Sequence, residues 1–157
     1  MVSLRPPLRP PLCAGCIPLG RCQFGVASYQ LSADGVARAR VWVDASMEGG
    51  PRVAHGGWTA SIFDEVLGKV PGLHGVLAVT KTLTVDYTRP VPIDRWLEAQ
   101  ARVESRSAGN WEISGVLTLE ATGSELARAH GTWVERTRRH FARHAEWLRE
   151  QDEITAP

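Results

Sequence analysis

A chain of 157 residues and 17.2 kDa is the size of one domain, long enough to bury a core and too short for two. Its formal net charge of +1 and charged fraction of 22% supply neither the basic surface that nucleic acid requires nor an acidic tail. No run reaches the apolar length of a membrane span, so a soluble, cytoplasmic protein is expected, with neither membrane nor nucleic acid as a partner.

Residues 1 to about 20 carry Leu-Arg-Pro-Pro twice, which predicts an extended polyproline-like arm outside the core. Proline also stands where a secretory signal needs an apolar helix. Cys13, Cys16 and Cys22 form C-x2-C-x5-C. That spacing admits three ligands of a four-ligand zinc site, an oxidisable pair, or reduced, partly buried thiols in a cytoplasmic protein, and no metal is assigned. Gln23 to Leu31 and Gly35 to Val43 alternate in hydrophobicity about Asp34-Gly35, the signal of a tight hairpin. Asp44 to Ala54 reads as a loop containing Gly49-Gly50-Pro51.

The stretch from His55 to Gly68 reads as the central helix. Trp58, Ile62, Phe63, Val66, Leu67 and Val70 recur at helical spacing and demand burial. Asp64 faces elsewhere, beside the small residues Gly57, Ala60, Ser61 and Gly68, which leave room for a ligand or a second backbone. An ordinary solvated acid pair is the plainer reading of Asp64-Glu65. Glu65 stands four residues before Lys69 and is read as its surface partner. At the other end, His55-Gly56-Gly57 starts the helix with N–H groups that no side chain covers, a place for an oxygen carrying negative charge.

Val70-Pro71-Gly72-Leu73-His74-Gly75 is expected to end the helix. A long, threonine-rich strand follows, with Leu77, Val79, Leu83, Val85 and Tyr87 on one face and Ala78, Thr80, Thr82, Thr84 and Asp86 on the other. Pro90 and Pro92 stop its pairing. Three more alternating runs, Leu97 to Val103, Trp111 to Leu119 and Leu126 to Val134, are separated by turn signals, giving four antiparallel strands in succession. Arg136 to Gln151 is expected to form a surface helix with Phe141, Ala145 and Leu148 on one stripe. His140 and His144, four apart on it, are read as solvated rather than as metal ligands.

A hairpin, one apolar helix and a meander specify an α+β fold in which the helix covers an antiparallel sheet. The run H-G-G-x6-D-E-x2-G and the block from Ala78 to Pro92 together resemble the hotdog-fold acyl-CoA thioesterases, in particular the H-G-G type that includes phenylacetate-pathway and 4-hydroxybenzoyl-CoA thioesterases. The resemblance covers about Leu31 to Glu135. It implies an antiparallel sheet wrapped around one long central helix, with an arm over 1–20, a hotdog domain over 21–138 and a surface helix with tail over 139–157. It also implies hydrolysis of an acyl-CoA or acyl-carrier-protein thioester without a cofactor, by a homodimer or dimer of dimers. Asp64 falls where the family has its catalytic acid, His55 and Gly56 where it contacts the thioester, and Thr80 where some members place a hydroxyl that orients water. Gly57, Glu65 and Lys81 border the expected substrate, and Lys81, Arg89 and Arg52 are the nearest cations for phosphates. Met47-Glu48-Gly49-Gly50 replaces the Asn or Gln that several members carry before the histidine. A non-catalytic hotdog module that binds an acyl group or a protein remains the alternative.

Thioester hydrolysis needs an activated water or nucleophile and donors for the oxyanion, with little help for a thiolate leaving group. Gly56 and Asp64 are about 12 Å apart along one helix, at 1.5 Å per residue. One carbonyl therefore meets both only if two helices run antiparallel across a dimer, each supplying one group. His55 is open between contacting the thioester and fixing the loop.

Overall fold

The computed structural model describes residues 11–155. Most of the expected arm, residues 1–10, lies outside the described residues. In residues 11–20 the chain does not extend: Cys16 and Ile17 both donate backbone N–H groups to the Cys13 carbonyl, and a short 3-10 helix spans Ile17–Leu19. Leu12 packs on the core and Cys16 is buried, while Pro18 stands in the first turn of the 3-10 helix, where proline is accommodated.

The expected hairpin forms from β1 (Val26–Leu31) and β2 (Ala37–Val43). Gly35 adopts φ +78 in its turn, and Asp34 Oδ1 accepts from Val36 N–H at 3.1 Å. The loop from Asp44 to Ala54 is more ordered than expected, since β3 (Glu48–Gly50) and β4 (Val53–Ala54) form a miniature ladder.

The central helix α1 (Gly56–Leu73) buries Trp58, Ile62, Phe63, Val66, Leu67 and Val70, the apolar positions that its spacing selects. Each fully buried side chain of this size contributes roughly 1.5–3 kcal/mol from burial. The expected break at Pro71 is corrected. Pro71 stays in the last turn with its ring buried, and the helix stops at His74-Gly75, where Gly75 takes φ +75.

Four strands follow: β5 (Ala78–Tyr87), β6 (Arg95–Ser107), β7 (Asn110–Leu119) and β8 (Glu125–Glu135). Only the last three form a meander, and the expectation of four successive neighbours is corrected for β5. It pairs with β8, while β6 pairs with β2, giving the order β1-β2-β6-β7-β8-β5. Pro90 and Pro92 in the connection from β5 to β6 lack the N–H groups that a β5–β6 hairpin would need. The inner face of the sheet is lined by Ala99, Ala101, Ala127 and Ala129, and a Cβ on Gly115 would lie 2.6 Å from Leu67 Cδ1. Small residues there let α1 approach β7 closely. The result is the α+β hotdog arrangement, one long helix against an antiparallel sheet.

A second helix, α2 (Arg139–Thr155), follows the sheet. Among the described residues no helix is long and apolar enough to cross a membrane.

Candidate active site

Asp64 is exposed on α1, and its carboxylate Oδ1 accepts a hydrogen bond from Thr80 Oγ1 at 2.7 Å. A simple alternating strand would turn Thr80 away from Leu83, Val85 and Tyr87. The register with β8 slips between Thr80 and Thr82, so Lys81 is an extra residue and the strand's facing reverses there. Thr80 then stands opposite buried Trp133, Leu83 opposite Gly131 and Val85 opposite Ala129, all on the helix side. The bulge corrects the expected two-faced pattern and delivers the hydroxyl to the carboxylate.

Asp64 shares a cavity of about 260 Å³ with Phe24, Ala60, Ser61, Glu65 and Leu83. Glu65 Oε1 is 3.5 Å from Lys69 Nζ, the expected pair one turn apart. Lys81, exposed in the bulge, has no described contact with Asp64 or Gly56.

His55 caps α1: its Nδ1 accepts from Gly57 N–H at 2.9 Å. An imidazole that accepts at Nδ1 carries its proton on Nε2. Gly57 N–H is therefore engaged within the chain, whereas Gly56 N–H has no acceptor among the described residues. Of the two glycines, Gly56 keeps the donor at the positive end of the helix dipole. Tyr87 donates its hydroxyl to the Gly56 carbonyl at 2.9 Å. With Thr59, Arg89 and Val91 these residues line a second cavity of about 260 Å³. Asp64 and Gly56 thus open into different cavities of one protomer.

The loop before the helix sets where His55 stands. Met47 carbonyl accepts from His55 N–H at 2.7 Å, and a Cβ on Gly49 would come within 2.6 Å of His55 Cα. Only glycine permits that approach. Glu48 uses its carboxylate to accept from Arg52 N–H in the turn between β3 and β4, where Arg52 takes φ +62. Arg89 donates to the Glu125 carbonyl at 2.8 Å. Sequence reasoning missed Tyr87, Gly49, Phe24 and Leu83 as parts of the site. The inward alternation from Leu83 to Tyr87 held the signal for two of them.

Cys13, Cys16 and Cys22 are free thiols. A hydrogen bond from Cys16 holds the Cys13 thiol below its ordinary value. Among the described residues no group of three or more His, Cys, Asp or Glu is arranged to hold a metal ion.

A family model described as the thioesterase superfamily matches residues 52–113. No curated protein sequence matches the chain. Among solved structures, a thioesterase superfamily protein superposes with a TM-score of 0.63 at 25% identity, over 68% of this chain and 52% of its own. The chain thus spans about half the length of that relative. PaaI of E. coli, from the phenylacetic acid degradation operon, gives a TM-score of 0.59 at 23% identity, over 63% of this chain and 75% of that one. A hypothetical thioesterase of Streptococcus pneumoniae gives 0.62 at 17% identity, over 66% of this chain and 84% of its own, in a variant with aspartate replaced by alanine. Two further structures described as a hypothetical thioesterase protein of Streptococcus pneumoniae carry a threonine-to-alanine replacement, numbered sixteen positions after that aspartate, and coenzyme A, respectively.

Proposed function

We propose that the chain hydrolyses an acyl-CoA thioester to free acid and CoA. The observation that carries this reading is the Thr80–Asp64 hydrogen bond of 2.7 Å, which holds an exposed carboxylate on the small-residue side of α1. The match of residues 52–113 to the thioesterase superfamily supports it, because the stretch includes both residues. Of the structures described as hypothetical thioesterases of Streptococcus pneumoniae, one holds coenzyme A, and the aspartate and threonine replaced in two others are numbered at the spacing of Asp64 and Thr80.

Asp64 acts as general base toward water or as the nucleophile, Thr80 holds one carboxylate oxygen and leaves the other to work, and Gly56 N–H receives the developing oxyanion. The two groups act on one carbonyl when Gly56 comes from the opposite subunit. The separate cavities support that arrangement, as does β5, a ten-residue strand at the edge of the sheet, one row of whose backbone groups has no ladder partner among the described residues. His55 orients the helix start. Gly57 and Glu65 border the substrate, and Lys81 lies in the bulge nearby, its side chain available to a phosphate. An acyl-carrier-protein thioester uses the same chemistry. No cofactor enters the scheme, and the free thiols fit a reducing, cytoplasmic compartment.

The alternative is a hotdog module that binds an acyl group or a partner without turnover. Glu48 favours it in one respect: its carboxylate closes a turn and does not replace the absent Asn or Gln. A panel of aliphatic and aromatic acyl-CoA substrates with free-thiol detection separates the two. Thiol release is the expected result, and tight acyl-CoA binding with no release from any substrate would leave the alternative standing.

A further inference from the structure

We infer that α2 is an assembly element, pairing antiparallel with α2 of a second copy of this chain. The inference is independent of the thioesterase reading. Every residue from Phe141 to Glu150 is exposed, including Phe141 at 53% and Trp147 at 52%, and Ile154 reaches 76%. His140, His144, Trp147, Gln151 and Ile154 recur at alternating spacings of four and three, the seam of a two-helix coil, with Phe141 and Leu148 beside it. The His144 and Trp147 rings stack on this side, 5.7 Å between centroids. Among the described residues no element covers the stretch from Phe141 to Glu150, and a lone helix of this length is marginal in water.

Charge selects the occupant. Arg136, Arg138, Arg139 and Arg143 bring four positive charges and no acid to the start of α2, while Glu146, Glu150, Asp152 and Glu153 outweigh Arg149 toward its end. The first turn has no acid and the last no base, so the helix opposes its own macrodipole at both ends. An antiparallel copy centred near Trp147 reverses this. It sets Arg139 and Arg143 of one helix by Glu153 and Glu150 of the other, at both ends at once. A parallel copy would align like charges. An anionic surface would attract only the basic half.

The test uses the full chain with Arg143→Glu, Glu150→Arg and the two combined, followed by sedimentation velocity across the micromolar range. Both positions are exposed on α2, so the body should melt as the wild type does. Each single reversal puts like charges together twice in the symmetric pair and should raise the dissociation constant of one assembly step about tenfold or more, with the double variant restoring it. Singles that assemble like the wild type would overturn the inference. So would a double variant that fails to recover, or wild-type binding to anionic vesicles that Arg143→Glu abolishes and the double variant does not restore.

Discussion

Asp64 and Glu65 are adjacent acids with different surroundings, and under the proposed hydrolysis that difference selects Asp64 as the reacting acid. Thr80 donates to Asp64 at 2.7 Å, whereas Glu65 faces Lys69 at 3.5 Å. Asp64→Asn keeps the shape and removes the base, so turnover should fall about a hundred- to ten-thousand-fold. Glu65→Gln should cost far less, since the pair with Lys69 that it loses is of the kind worth about half a kcal/mol or less. Thr80→Val removes one hydrogen bond to a charged group and should cost roughly 10- to 100-fold. Steady-state rates with the best acyl-CoA give all three, and a Glu65→Gln loss larger than that of Asp64→Asn would move the chemistry to Glu65. The facing of Asp64 was legible because helical spacing is set by backbone geometry alone. The facing of Thr80 was not: one extra residue at Lys81 reverses a strand, and threonine and lysine carry no local mark of a bulge.

At the scale of elements, the turn between β3 and β4 fixes His55, which fixes the start of α1. Gly49→Ala should push His55 away, because the new Cβ would meet His55 Cα at 2.6 Å. Overpacking of this kind costs about 1–3 kcal/mol. Turnover should drop along with the melting temperature, while Gly50→Ala, with nothing within 4 Å of its Cβ, should affect both less. Gly49 and Gly50 read alike in sequence as loop glycines; only the approach of a segment six residues on distinguishes them. The same limit hid the place of β5. Alternation and prolines marked its extent, but which strand it joins depends on contacts some fifty residues away.

At the scale of the whole molecule, the sheet is fastened across its strands by ion pairs whose strength depends on pH. Glu135 accepts from Trp111 Nε1 at 2.8 Å and pairs with Arg106 at 2.7 Å, and these contacts hold its carboxyl below the ordinary range. A carboxyl depressed in the folded state stabilises it fully above the unfolded value and loses that contribution as pH falls. Stability should therefore decline as pH falls below about 5, and Glu135→Gln should flatten the decline. Urea midpoints across that range test it, and an unchanged slope in the variant would contradict it.

The central claim is a thioesterase site shared by two protomers, and it calls for a variant that deletes Gly56 N–H alone. Gly56→Pro does this at the first helical position, where proline is favoured, after His55 in extended geometry (φ −59, ψ 136). Space is available too, since a Cβ there would meet only the Tyr87 ring at 3.6 Å or more. Asp64→Asn and Gly56→Pro should each be nearly inactive. The deciding measurement is acyl-CoA turnover after the two variants are mixed and allowed to exchange subunits. Half the dimers would then be mixed, each with one intact site of two, so about a quarter of wild-type turnover should return. A mixture no more active than its parents would contradict the shared site.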